Sequence, residues 1–176
     1  NLVIVEHDNK TIKPSTYSTI TAASKISQEV YAIILGSDIE SALEDLKKCN
    51  HLKKIFFVNN KELTEPIAEN LSSYILKFLE GKNFTHIFSP STTFGKNLSP
   101  KISAELDVQQ ISDIINVIDD KTFERPIYAG NAIATVRSND STKVVTVRAT
   151  CFEQASLESN VEMEEISLSD LSSDLV

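Results

Sequence analysis

The stretch that decides the fold is Val30-Tyr31-Ala32-Ile33-Ile34-Leu35, which Gly36 closes. This continuous apolar run is rich in β-branched residues and is typical of a strand covered on both faces. Similar runs lie at 2–5, 54–58 and 85–89, and segments with helical apolar spacing separate them. Four strands that alternate with helices predict right-handed crossovers and a parallel sheet with helices on both faces.

The helix boundaries carry their own signals. Asp38 is expected to cap the second helix, and Pro66 is expected to lie in the first turn of the third helix. The fourth helix is predicted to run from Leu98 to Leu106.

The pattern changes after Val108. Strand-like runs then follow one another without helices between them, at 111–117, 123–128, 132–137 and 144–147. Polar turns join these runs, so the sequence predicts an antiparallel element. The predicted fold class is therefore α/β, a three-layer α/β/α domain with a mostly parallel sheet and a small antiparallel β addition in the C-terminal third.

Composition excludes several classes of function. The 176 residues carry a formal charge of −8, so we expect no binding to nucleic acid or anionic membranes. No run approaches the roughly 20 apolar residues of a membrane helix, so we expect no membrane insertion. The two cysteines, Cys49 and Cys151, are too few for a disulfide framework and favour a reducing compartment.

Catalytic and metal-binding patterns are weak. His7, His51 and His86 lack the spacing of a metal-binding helix, so no metal site is predicted. No nucleophile elbow of the G-x-S-x-G type is present. The residues alone therefore indicate no catalytic site.

The C-terminal segment, residues 156–176, is acidic and contains no Lys, Arg, Gly or Pro. It is typical of a linker, or of an arm that packs on another surface. Its apolar spacing permits an extended arm followed by a helical turn. A solvated acidic tail without a partner is the open alternative.

The first candidate site is the stretch from Ser89 to Asn97, which joins a predicted strand to a predicted helix. Ligands of open α/β sheets bind outside the carboxyl ends of strands, where free N–H groups, hydroxyls and a lysine hold anions. The candidate anion or nucleotide residues are Thr92, Thr93, Gly95, Lys96 and Asn97. The alternative is that Ser91, Thr92 or Thr93 only caps the helix and Lys96 is solvated.

The second candidate is a group of interface or structural residues, namely Arg125, Tyr128, Gly130, Asn131, Arg137 and Arg148. The arginines are expected to pair with carboxylates of a partner chain, or with Glu6 and Asp113 of this chain. Gly130 and Asn131 form a turn or bulge signal, because both residue types tolerate positive φ.

Several stretches taken together resemble the alpha subunit of electron transfer flavoprotein. They are 3–10 (VIVEHDNK), 91–97 (STTFGKN), 110–114 (QISDI) and 125–132 (RPIYAGNA), in the order and spacing of that family. The closing stretch 146–152 is similar to the family's Thr-Val-Arg-Gly-Thr-Ser-Phe, with Ala149 and Cys151 as departures. The resemblance covers residues 1 to about 155.

The resemblance implies an N-terminal α/β domain at residues 1–155, similar in fold to the adenine-nucleotide alpha-hydrolases, followed by a linker at 156–176. It implies a beta-subunit partner and FAD in the complete heterodimer, held by a C-terminal domain that these residues lack. Flavin dehydrogenases such as acyl-CoA dehydrogenases, and a membrane quinone oxidoreductase, are the implied electron partners.

The role implied for these residues is that of a non-catalytic scaffold and interface domain, with no cofactor of its own, in the mitochondrial matrix or in a bacterial cytoplasm. The alternative is an AMP-type binding module, in which the loop from Thr92 to Asn97 and His7 hold the nucleotide.

Overall fold

The computed structural model describes residues 1–172, which form strands and helices in alternation over the first two thirds of the chain. The strands are β1 (Leu2–Ile4), β2 (Val30–Gly36), β3 (Leu52–Asn59), β4 (His86–Pro90), β5 (Gln110–Ile114), β6 (Asn116–Val117), β7 (Thr122–Ile127), β8 (Ala132–Arg137), β9 (Lys143–Val147) and β10 (Glu162–Glu165). The helices are α1 (Pro14–Ser24), α2 (Glu40–Leu46), α3 (Ala68–Leu79), α4 (Thr93–Glu105) and α5 (Leu168–Leu171).

The main sheet has seven strands in the order β10-β3-β2-β1-β4-β9-β5, and all of its pairs are parallel. A second sheet has the order β6-β7-β8 and is antiparallel. The order along the main sheet reverses between β1 and β4, which makes the carboxyl ends of these two strands the topological switch point.

Two apolar cores lie on opposite faces of the main sheet, because successive side chains of a strand point to opposite faces. Val3 and Ile34 pack with α1 and α2 on one face. Ile4 and Ile33 pack with α3, α4 and α5 on the other. The predicted three-layer α/β/α class, with a mostly parallel sheet and a small antiparallel addition, is confirmed.

The extent of the antiparallel addition differs from the prediction. Only β6, β7 and β8 are antiparallel, whereas β5 and β9 are parallel strands of the main sheet. Every residue of β9 is buried, and β9 lies between β4 and β5. The small sheet is thus the connection from β5 to β9. Parallel neighbours need a long crossover, and this sheet takes the place of the usual helix.

Three helix starts also differ from the prediction. Asp38 has a φ of 52° and its side chain does not cap α2, which follows Ile39 at the N-cap position. Pro66 precedes the first turn of α3, whose N-cap residue is Ile67. Helix α4 begins at Thr93, five positions before Leu98, because the chain enters the helix almost directly after β4.

The acidic segment packs back onto the sheet as far as it is described. β10 pairs in parallel with β3, and Lys54 binds Glu164 across the pair at 3.2 Å. Leu168 and Leu171 of α5 are buried in the core beside α3. An extended stretch followed by a helical turn is therefore present. The boundary at residue 155 and the role of the segment as a linker remain predictions.

His86 joins the two sheets at the amino end of β4. Its Nε2 lies 2.6 Å from the carbonyl oxygen of Asp120, which only accepts, so Nε2 carries the proton. Nδ1 accepts from the Thr85 hydroxyl at 2.8 Å. The ring also stacks on Phe88, with 5.9 Å between centroids. Burial, the largest effect, lowers the pKa of His86.

Candidate functional site

The first candidate stretch is built around the carboxylate of Glu6, which follows β1. Thr92 occupies the N-cap position of α4, but its hydroxyl donates to Glu6 Oε2 at 2.8 Å and does not cap the helix. The Ser15 hydroxyl donates to the same oxygen at 3.1 Å. The hydroxyl of Thr92 is therefore bonded within the domain.

Gly95 lets α4 approach β4 closely. A Cβ at this position would lie 1.8 Å from the carbonyl oxygen of Pro90. Gly95 is buried in the first turn of α4, so its lack of a side chain serves the packing of helix on strand.

The remaining residues of the stretch point outward. Thr93, Lys96 and Asn97 are exposed on α4. Within residues 1–172 their side chains make no hydrogen bond or ion pair with protein groups. The five candidate residues thus do not form a closed cradle, and the carboxylate of Glu6 lies beside Thr92, where it opposes a second negative charge.

His7 is held by backbone groups on both ring nitrogens. Nδ1 accepts from the Asn9 N–H at 2.9 Å, so Nε2 carries the proton and donates to the Leu35 carbonyl oxygen at 2.8 Å. Burial is the largest effect on this group and lowers the pKa of His7. A neutral imidazole with both nitrogens engaged fixes the loop after β1 and has no free atom for a phosphate.

A cleft of about 390 Å³ lies at the carboxyl ends of β1 and β2, beside the loop that follows β1. Its size falls within the range of roughly 300–1,000 Å³ of small-molecule sites. Apolar side chains from β1, β2, α3 and α4 form much of its wall, and two carboxylates stand among its polar groups. The lining residues are Ile4, Val5, His7, Asp8, Asn9, Leu35, Thr64, Glu65, Pro66, Leu71, Ile75 and Phe94.

Two polar residues of this cleft, Asp8 and Asn9, are also engaged in the fold. Asp8 accepts from the backbone N–H groups of Thr11 and Lys10 and from the Thr11 hydroxyl, which lowers the pKa of Asp8 to about 2. Asn9 joins the loops after β1, β2 and β3 by bonds to the Ser37 N–H and the Thr64 carbonyl oxygen. The cleft residues Leu71 and Ile75 have the apolar spacing of a helix face, and this periodicity cannot separate a core wall from a cleft wall.

The second candidate group surrounds Asp113. A bulge in β5 turns this residue to a φ of 60°, and its N–H donates to the Thr146 hydroxyl. Arg148 donates from Nε and Nη2 to the two carboxylate oxygens of Asp113, with a distance of 3.2 Å for the Nε bond. The ion pair between Arg148 and Asp113, one of the alternatives that the sequence left open, is present, and a pair of an arginine with Glu6 is absent among the described residues.

The other two arginines have no carboxylate partner among residues 1–172. Arg125 donates from Nε and Nη2 to the carbonyl and hydroxyl oxygens of Ser112, at 2.8 and 3.0 Å. Arg137 is exposed at the end of β8.

Asp113 is stabilised by Arg148 and Ser91, and the pKa of its carboxyl is lowered although desolvation opposes this shift.

The turn between β7 and β8 is left-handed at three successive residues. Tyr128, Ala129 and Gly130 have φ values of 52°, 55° and 88°, and Tyr128 is 78% exposed. Asn131 has a φ of −74°, so the positive φ expected for Gly130 is present and that for Asn131 is not. Left-handed backbone is unfavourable for residues other than glycine and concentrates at functional sites.

Three further features of the described part of the chain concern metal binding, thiol reactivity and membrane crossing. Its His, Cys, Asp and Glu side chains form no group of three or more that could hold a metal ion. Cys49 is buried, and desolvation raises the pKa of its thiol to about 12. None of the helices within residues 1–172 has the length and apolar character that a membrane crossing needs.

These features define a three-layer α/β/α domain whose polar groups at the carboxyl edge are largely bonded to one another. A family model described as "Electron transfer flavoprotein domain" matches residues 1–171. The chain belongs to the electron transfer flavoprotein family.

Curated relatives are alpha subunits of electron transfer flavoprotein. The chain is 40% identical over 157 residues to the subunit of Pseudomonas aeruginosa, a match that covers 89% of this chain and 50% of that protein. It is 44% identical over 160 residues to the mitochondrial subunit of Dictyostelium discoideum, covering 88% and 45%. For the probable mitochondrial subunit of Caenorhabditis elegans the identity is 34% over 174 residues, covering 99% and 52%. The chain spans about half the length of these relatives.

Proposed function

We propose that this chain is the N-terminal scaffold and interface domain of an electron transfer flavoprotein alpha subunit. The observation that carries the proposal is the family match over residues 1–171, which corresponds to about half of each alpha subunit. The complete heterodimer would carry FAD and pass electrons from flavin dehydrogenases, such as acyl-CoA dehydrogenases, to a membrane quinone oxidoreductase.

The antiparallel sheet is the proposed surface for the beta subunit. β8 is the last strand in the order β6-β7-β8, so one of its backbone edges has no strand partner within residues 1–172. Ile133 on β8 is 59% exposed, and Tyr128 in the preceding turn is 78% exposed. An open edge flanked by exposed apolar side chains favours pairing with another chain.

The FAD of the heterodimer belongs, in this proposal, to the half of the subunit that lies outside these 176 residues. Support comes from the carboxyl edge of the sheet, where Thr92 is bonded to Glu6 and Gly95 serves helix packing. The chain itself would be non-catalytic and hold no cofactor. Relatives named mitochondrial support a place in the mitochondrial matrix, or in the cytoplasm if the source is bacterial.

The test is an absorbance scan from about 350 to 500 nm of this chain alone and of the full-length alpha subunit purified with its beta subunit. We expect flavin bands only for the heterodimer, and a stable complex of this chain with the beta subunit in size-exclusion chromatography. Stoichiometric flavin on the chain alone, or no association with the beta subunit, would contradict the proposal.

A second candidate function is an AMP-type binding module, and the cleft at the carboxyl ends of β1 and β2 is the observation that favours it. Titration calorimetry with AMP and ATP at millimolar concentration tests this function. Leu71→Trp, which fills the cleft, is the matched variant: it should abolish heat that the folded wild-type chain gives. Absence of heat with the wild type removes this function.

A further inference from the structure

A shallow depression lies between Arg125 and Arg148, at the carboxyl ends of β5 and β9. It has a volume of about 470 Å³ and opens on the surface. Its lining residues are Asp113, Arg125, Pro126, Ile127, Tyr128, Ala129, Gly130 and Arg148. The depression lies apart from the cleft beside His7, with which it shares no lining residue.

The two guanidinium groups at this depression are only partly satisfied. Arg148 uses Nε and Nη2 on Asp113, and Arg125 uses the same two atoms on Ser112. A guanidinium has five N–H donors, so Nη1 of each arginine remains without an acceptor among the described residues. The bonds already made hold both side chains in place, which lowers the entropy that a ligand would have to offset.

The charge of the depression differs from that of the molecule. The chain has three arginines, Arg125, Arg137 and Arg148, and all of them lie in this part of the chain. The depression holds two of them and the single carboxylate of Asp113, whereas the whole chain carries −8. Arginine matches the planar, two-oxygen geometry of a carboxylate.

We propose that this depression receives a carboxylate side chain, Asp or Glu, of the beta subunit. The inference rests on the proposed function, because it places this contact in the same interface as Tyr128 and β8. The exposed Tyr128 stands at the rim of the depression and continues it toward the open edge of β8. A protein side chain fits an open site flanked by such a surface better than a free anion, which needs enclosure.

The experiment measures the affinity of the full-length alpha subunit for its beta subunit by titration calorimetry at low and high salt. Arg125→Lys keeps the positive charge but loses the planar guanidinium, whose parallel N–H groups can bind both oxygens of a carboxylate. It should weaken binding about tenfold. Asp113→Asn removes the competing negative charge, while its amide oxygen can still accept a bond that holds Arg148 in place, and Asn tolerates the positive φ at this position. It should strengthen binding about threefold, a gain that misfolding would not produce. Lys53→Gln, which removes a cation far from the depression, is the control and should leave the affinity unchanged.

The outcomes separate the two proposals. No association of the wild-type subunits overturns the proposed function and this inference together. Association with wild-type affinity for both Arg125→Lys and Asp113→Asn overturns only the carboxylate site. Competition by inorganic phosphate at millimolar concentration, together with unchanged subunit affinity of Arg125→Lys, would assign the depression to a free anion and also overturn it.

Discussion

At the residue scale, two carboxylates organise the candidate residues that are bonded within the domain. Glu6 holds the hydroxyls of Thr92 and Ser15, and Asp113 holds Arg148. These pairs join segments up to 86 residues apart in the sequence. Because these carboxylates and hydroxyls already have partners, they fix the domain at the edge of the sheet where related folds hold ligands.

Gly95 is expected to be the glycine least tolerant of substitution. Gly95→Ala should lower the free energy of unfolding by more than about 3 kcal/mol, because the added Cβ would meet the backbone oxygen of Pro90. Gly81→Ala is the matched control, since open space surrounds Gly81 and only its φ of 73° is unfavourable. The control should cost about 1 kcal/mol in urea denaturation. Equal losses for the two variants would contradict this account.

The two thiols should differ in reactivity. Cys151 is exposed, whereas Cys49 is buried and the pKa of its thiol is raised to about 12. A thiolate reagent such as dithionitrobenzoate should therefore modify one cysteine rapidly at pH 8 in the native chain and both in urea. Cys151→Ser should abolish the rapid native reaction, and Cys49→Ser should leave it intact. A rapid reaction in the Cys151→Ser variant would be the contrary result.

At the element scale, the acidic segment completes both the sheet and a core. β10 covers the edge of β3, and its exposed Glu162, Glu164 and Glu165 present charge at the new edge. Charged edge strands resist pairing with other chains. The open edge of β8 carries no such acidic residues, which agrees with its proposed use as an interface.

Helix α5 should contribute to stability although it has only four residues. Leu168 is 6% exposed in the core beside α3, so Leu168→Ala should lower the free energy of unfolding by about 2–3 kcal/mol. Leu157→Ala is the control, since Leu157 is 45% exposed, and should change stability by less than about 0.5 kcal/mol. Urea denaturation followed by circular dichroism measures both. Equal stability of Leu168→Ala and the wild type would mean that the segment does not pack in solution.

At the scale of the whole molecule, stability should depend on pH through two histidines, the buried His86 and the half-buried His7. Burial lowers the pKa of His7 and of His86 below the usual 6.5. The unfolded chain then binds protons that the folded chain does not, so stability is full above pH 6.5 and decreases as the pH falls toward the folded pKa values. The decrease is at most about 1.4 kcal/mol per pH unit for each histidine. Urea denaturation at pH 7.5, 6.5 and 5.5 measures it.

Two variants distinguish the contributions of individual histidines to the pH dependence of stability. His86→Gln should reduce the slope of stability against pH, because one of the two groups is removed. His51→Asn is the control, since it replaces an exposed histidine at a φ of 75° that Asn tolerates, and it should keep the slope. Stability that stays constant from pH 7.5 to 5.5 would contradict the assignment of neutral, buried imidazoles.

The sequence by itself determined the local elements and the class of the fold. Short apolar runs rich in β-branched residues and closed by glycine, such as that from Val30 to Leu35, favour a strand covered on both faces. The segments with helical spacing between these runs form the helices that cover the sheet. The resemblance in order and spacing of five short stretches also indicated the family. These signals are readable because they depend on neighbours in the chain.

Only the tertiary structure decided how distant segments combine. It placed β9 between β4 and β5 and β10 beside β3. It also brought Glu6 into hydrogen-bonding contact with Thr92, and Asp113 into an ion pair with Arg148. Periodicity is the same for a parallel and an antiparallel strand with two buried faces, and it carries no record of which strand lies alongside. Strand order and long-range ion pairs follow from packing of the complete chain, and the candidate sites at the sheet edge depend on both.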